Sequence, residues 1–206
     1  MKNLIKLSLL SAALAVCALP VVAQSTDTSA NPPVTGKSIQ ERKDNQQDRI
    51  ANGVSSGELN AKETTNLEKK ETEINQEERD MRKLDNGKLT NADKATLTQQ
   101  QNQVSQHIYA DKHNDKTQNV TDPKSEVGKR EENQQDRISQ GMKSGQLTPS
   151  ESARLERNEA KINRQVANDR KANGGRLTQQ EKAQVNREQN RESKQIYRAK
   201  HNNKQR

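Results

Sequence analysis

Three histidines, one cysteine and several adjacent carboxylates are the side chains of this 206-residue sequence with types suited to chemistry. His113 and His201 stand in matching contexts, each four residues after a tyrosine, Tyr109 and Tyr197. A zinc site needs three or four ligands at set spacings, and no Cys, His or acid accompanies either histidine in such a pattern. Both are therefore metal candidates of the weakest kind, and a helix-end role, where an imidazole complements the helix dipole, accounts for the same residues. Adjacent acids such as Glu77-Glu78 could work as an acid–base pair only if burial moved their pKa values. In so polar a helix, no such shift is expected. The chain shows no Ser–His–acid spacing and no Gly-rich phosphate loop. No enzyme activity, catalytic residue or cofactor is expected.

One phrase, Gly-x-Leu-Thr-x-x-Glu, occurs four times with small variations: Gly57, Leu59, Asn60 and Glu63; Gly87, Leu89, Thr90 and Asp93; Gly145, Leu147, Thr148 and Glu151; Gly175, Leu177, Thr178 and Glu181. It is similar to the second half of an EF-hand loop, in which a glycine is followed six residues later by an acid. Calcium also needs oxygen ligands at loop positions one, three and five. Those positions hold Asn52, Val54 and Ser56 in the first case and Arg82, Leu84 and Asn86 in the second. The third and fourth offer Gln140, Met142, Ser144 and Arg170, Ala172, Gly174. Too few oxygens remain, so a degenerate divalent-ion binder is the second functional reading and not the first.

Helix capping explains the phrase completely. Glycine enters the left-handed conformation that closes a helix. Thr or Asn then opens the next helix, and the acid three residues later completes a capping box. Pro149, directly after Thr148, occupies the first helical position, where proline is best tolerated.

The phrase belongs to a larger repetition. From Arg42 the chain repeats with an offset of 88 and no gap, with 33 of 75 positions identical between 42–116 and 130–204. Asn45-Gln46-Gln47-Asp48-Arg49-Ile50 returns at 133–138, and Ile108-Tyr109 with Lys112-His113-Asn114 returns at 196–202. Each copy is expected to hold three helices, over 38–55, 60–84 and 90–113, then 126–143, 148–172 and 178–201. Apolar residues recur at helical spacing: Leu67, Ile74 and Met81; Leu97, Val104 and Ile108. The second copy has Asp169 for Met81 and Glu192 for Val104. So narrow a stripe predicts loosely packed modules of marginal stability. The fold class is all-α: two tandem modules, 38–113 and 126–206, joined by a polar linker, 114–125.

Residues 1–23 read as a secretory signal, with Lys2 and Lys6 before the apolar run Leu7–Leu19 and cleavage after Ala23. Residues 24–37 read as a flexible leader. The expected location is periplasmic or secreted, and the mature chain has no transmembrane span. Leu14-Ala15-Val16-Cys17 is similar to a lipoprotein box, but Val16 is bulky for one. Cleavage after Ala23 leaves no cysteine, hence no disulfide.

Charge divides unevenly. Residues 38–116 carry 13 basic and 15 acidic side chains, net −2, whereas 126–206 carry 19 and 11, net +8. Arg154, Arg157, Arg164, Arg187 and Arg191 are the candidate contacts to a client or polyanion. With two tyrosines and no Phe or Trp, stacking platforms for nucleic acid are absent, and nucleic acid is disfavoured as a partner.

Leu147-Thr148-x-x-Glu151, Leu177-Thr178-x-x-Glu181 and Leu89-Thr90-x-x-Asp93 resemble the Leu-Thr-x-x-Gln signature of the small periplasmic Spy/CpxP stress proteins. That resemblance, confined to the turn phrases, implies a helical, cysteine-poor, ATP-independent chaperone with a basic concave face. The acid in place of Gln and the two-copy layout depart from the pattern. The full repeat is also similar to uncharacterised bacterial secreted tandem helical-repeat proteins. The sequence reading is a non-enzymatic, exported interaction module, chaperone-like, with protein clients or envelope components as partners and self-association open to it. A structural binder of anionic envelope polymers is the third reading.

Overall fold

Every helix starts on a side-chain cap. Ser38, Asn60, Thr90, Ser125, Thr148 and Thr178 take extended backbone, and each side chain accepts a hydrogen bond from a first-turn N–H. In all but Ser125 the acid three residues on, Glu41, Glu63, Asp93, Glu151 or Glu181, accepts in return from the cap's own N–H. Two otherwise orphaned N–H groups are satisfied at each such start.

The computed structural model describes residues 38–118 and 124–204. The caps open α1 (Ile39–Ser56), α2 (Ala61–Leu84), α3 (Asn91–Lys112), α4 (Glu126–Lys143), α5 (Pro149–Ala172) and α6 (Gln179–Lys200). The described residues are all-α, without a strand, and the helix bounds lie within about two residues of those read from the sequence. No described helix is long and apolar enough to cross a membrane. The expected signal, 1–23, and leader, 24–37, lie outside the described residues, as do 119–123 of the expected linker.

The repeated phrases are packing instructions. Gly53 and Gly141 are helical glycines against which the turn leucines fold back: a Cβ added at Gly53 would lie 2.6 Å from Leu59, and one at Gly141 2.7 Å from Leu147. Leu59 N–H donates to the Gly53 carbonyl at 2.9 Å and Leu147 N–H to that of Gly141 at 3.0 Å. Gly57 and Gly145 make the reversal possible with φ of +74° and +73°. Leu59 and Leu147 end fully buried.

Gln46 and Gln134 bridge helices: each amide donates to a backbone carbonyl of the third helix of its own copy, Gln101 at 2.6 Å and Gln189 at 2.9 Å. Gln101 and Gln189 answer by donating to the Ile39 and Val127 carbonyls. Arg49 reaches Ser105, and Arg137 reaches Ser193. Asn114 and Asn202 donate to Glu63 and Glu151, the acids of the capping boxes. Polar side chains thus fix how α1 sits on α3 and how α4 sits on α6, which apolar burial alone leaves unspecified.

The two copies share a core. One apolar cluster contains Ile50, Leu59, Leu67, Leu97 and Ile108 from the first copy together with Ile138, Met142, Leu147, Leu155 and Ile196 from the second. α2 packs most extensively on α5, and α1 packs on α4. A smaller cluster, Val127, Ile162, Val166, Leu177 and Val185, belongs to the second copy alone. Part of the expected linker is docked. Gln118 N–H donates to the Gly57 carbonyl at 2.9 Å, Asn60 donates to the Lys116 carbonyl at 3.2 Å, and Ser125 caps α4.

Candidate functional site

Two features of the second copy could carry function: a set of exposed arginines on α5 and α6 and a group of buried carboxylates. Arg154, Arg157 and Arg164 lie on α5, and Arg187 and Arg191 lie on α6, helices packed together. All five are solvent-exposed. None forms an ion pair among the described residues, where the ion pairs are Lys43–Glu78, Arg82–Glu78, Lys83–Asp80 and Lys112–Glu58, every one in the first copy.

The same two helices, with α4, also carry enclosed acids. Glu156 and Glu159 on α5, Glu131 on α4 and Glu192 on α6 are each at most 4% exposed. Burial pushes the Glu156 carboxyl up to about 8, with Glu192 adding in the same direction and a 3.2 Å hydrogen bond from Gln135 opposing. Glu159 is pushed well above the ordinary carboxylate range by burial and then by Glu156, Glu192 and Glu131. Burial raises Glu131 to about 7 against the pull of Gln118 and Asn163. Burial raises Glu192 to about 7 as well, although Asn158 donates to it at 2.9 Å. An enclosed carboxyl without a cation favours its neutral form. The expectation of no shift at the Glu77-Glu78 pair is corrected at Glu78, where burial pushes the carboxyl up but Lys43 and Arg82 hold it below its ordinary value, while the upward shifts fall on other acids. The polar stretches enclose some of their acids instead of presenting them all to water.

Enclosure also changes the surface charge. Four of the eleven acids of 126–206 are thus enclosed, while the five arginines are exposed.

The remaining candidates are accounted for locally. The imidazole Nδ1 of His113 lies 2.8 Å from the Tyr109 carbonyl and that of His201 2.7 Å from the Tyr197 carbonyl. Each ring stacks on its tyrosine with centroids 4.1 Å apart. His113 and His201 are the C-caps of α3 and α6. Glu63, Asp93, Glu151 and Glu181 are engaged in their capping boxes. Among the described residues no three His, Cys, Asp or Glu side chains converge in a metal-holding group. Gly87, Leu89 and Thr90, like Gly175, Leu177 and Thr178, form the second corner of each copy. Positive φ occurs there at Asn86, Gly87, Gly174 and Gly175.

Sequence reasoning missed the buried acids and the two helical glycines. The repetition carried the signal. Glu68 and Glu71 recur as Glu156 and Glu159, whereas Lys69 and Lys70 between them became Arg157 and Asn158. No protein-family model, curated protein or solved structure matches the chain.

Proposed function

We propose that this protein is a non-enzymatic, exported interaction module of chaperone-like character that holds acidic segments of client proteins on the arginine face of α5 and α6. The observation that carries the reading is the set of five exposed arginines on two helices packed together, none in an ion pair among the described residues. Arginine side chains in this state keep their donors for a partner's carboxylates and lose affinity to screening by salt. The net +8 of the second copy against −2 of the first gives the binding a side.

The test is suppression of aggregation of an acidic client at stoichiometric amounts. Protection should be strong at low ionic strength, fall by about tenfold at roughly 0.3 M salt, and vanish when the five arginines are replaced by glutamine. Absence of protection at low salt removes the reading. The same arginines favour a second reading, attachment to anionic envelope polymers. Salt-sensitive co-sedimentation with such a polymer, without client protection, would select it.

A further inference from the structure

We propose that the seam of α5 with α4, α6 and α2 is an acid-closed latch: Glu131, Glu156, Glu159 and Glu192 hold the helical body shut as neutral carboxylic acids and loosen it when they ionise. The inference does not need the anionic partner.

The geometry comes first. Glu156 and Glu159 are one helical turn apart on α5, both 0% exposed, and Glu131 and Glu192 approach from the helices on which α5 rests. Neither oxygen of Glu159 has a hydrogen-bond partner among the described residues. None of the four forms an ion pair there.

The groups facing the seam are few. From α4, Gln135 donates to Glu156, and Glu132 adds like charge beside Glu131. From α5, Asn158 donates to Glu192 and Arg154 attracts it, while Asn163 and Arg170 pull on Glu131. From the linker, Gln118 does the same. α2 brings two further enclosed acids, Glu68, which accepts from Gln47 at 3.0 Å, and Glu71. Glu159, with no hydrogen-bond donor among the described residues, and Glu156, with Gln135, repel one another when ionised.

The direction of the effect follows. The folded state raises these pKa values above their unfolded 4.5, Glu131 and Glu192 to about 7, Glu156 to about 8 and Glu159 well above its ordinary value. The folded state therefore binds more protons than the unfolded chain between those limits. Their contribution to stability is complete below about pH 4.5 and is lost as pH rises through about 7 to 8. A single group moved from 4.5 to about 7 multiplies the unfolding constant about 300-fold on full ionisation. The four titrate as a coupled set, so their effects do not simply multiply.

The test is denaturant unfolding of the full chain, followed by helical circular dichroism from pH 5 to pH 8.5 at constant ionic strength. The unfolding constant should rise at least about 100-fold across that range. Glu159→Gln and Glu156→Gln keep the shape of the protonated acid and cannot ionise. Each should cut the rise by about tenfold while leaving stability at pH 5 within about threefold. Stability that is flat or rising from pH 5 to pH 8.5 overturns the proposal, as does a glutamine variant that keeps the full slope. Should the variants fail to fold, side-chain carboxyl carbon resonances of the unaltered protein are titrated instead. At least two glutamates titrating above pH 6 support the latch, and none above pH 6 overturns it.

Discussion

The two copies solve one packing problem with different electrostatics. At one end of the first copy Lys43 and Arg82 close on Glu78, with Lys43 Nζ 2.9 Å and Arg82 Nη2 2.8 Å from its oxygens. Burial pushes Glu78 up, but the hydrogen bonds from Lys43 and Arg82 more than offset it and hold the carboxyl below its ordinary value. The second copy has Glu131 in place of Lys43 and Val166 in place of Glu78, and Glu192 in place of Val104. An ion-paired glutamate has given way to a buried acid drawn on by Gln118, Asn163 and Arg170 but in no ion pair among the described residues, and an apolar core position has become another acid. The helical frame barely registers the exchange, since corresponding helices are of equal length, 18, 24 and 22 residues in each copy. Caps and glycine corners thus set the backbone, while the enclosed side chains set its response to pH.

At the shared cluster the two copies should behave alike. Leu67→Ala and Leu155→Ala both empty the shared cluster and should each cost about 3 kcal/mol, read by denaturant unfolding. A cost confined to one of them would mean the core is not shared.

At the exchanged acids they should differ. Glu192→Val restores the first copy's residue and should raise stability by about 2 kcal/mol more at pH 8 than at pH 5, because the folded state no longer resists ionisation at that position. Glu78→Gln should act with the opposite sign. It removes a carboxylate whose pKa is lowered in the folded state, so a cost of about 1–2 kcal/mol at pH 7 should shrink as pH falls below about 4.5. Smallest of all, His113→Ala and His201→Ala should each cost about 0.5 kcal/mol, equally in the two copies.

How far the sequence could be read follows from the range of each interaction. Helix starts were legible because a cap and its answering acid lie three residues apart, as in Thr148 and Glu151. The histidine ends were legible for the same reason. The site was legible only at its outer layer, the five arginines. Glu156 and Glu159 look like any solvated pair until α2, α4 and α6 close over them, and that closure depends on contacts far along the chain. Glu192 shows the limit well. Its replacement of a valine reads as loss of a core position, yet the carboxyl stays inside. Gly53 and Gly141 were equally mute, since only the returning leucine reveals why a side chain is forbidden there.

The common core gives the 88-residue repetition a further meaning. Because α1 meets α4 and α2 meets α5, like faces like across the seam, as subunits do in a two-fold symmetric pair. A polypeptide limited to residues 38–118 would leave Leu67 and Ile50 without their covering neighbours, and it should recruit a second molecule of itself at micromolar concentration. Covalent fusion makes that pairing independent of dilution. It also frees each half to vary alone, as Lys43 against Glu131 and Val104 against Glu192 show.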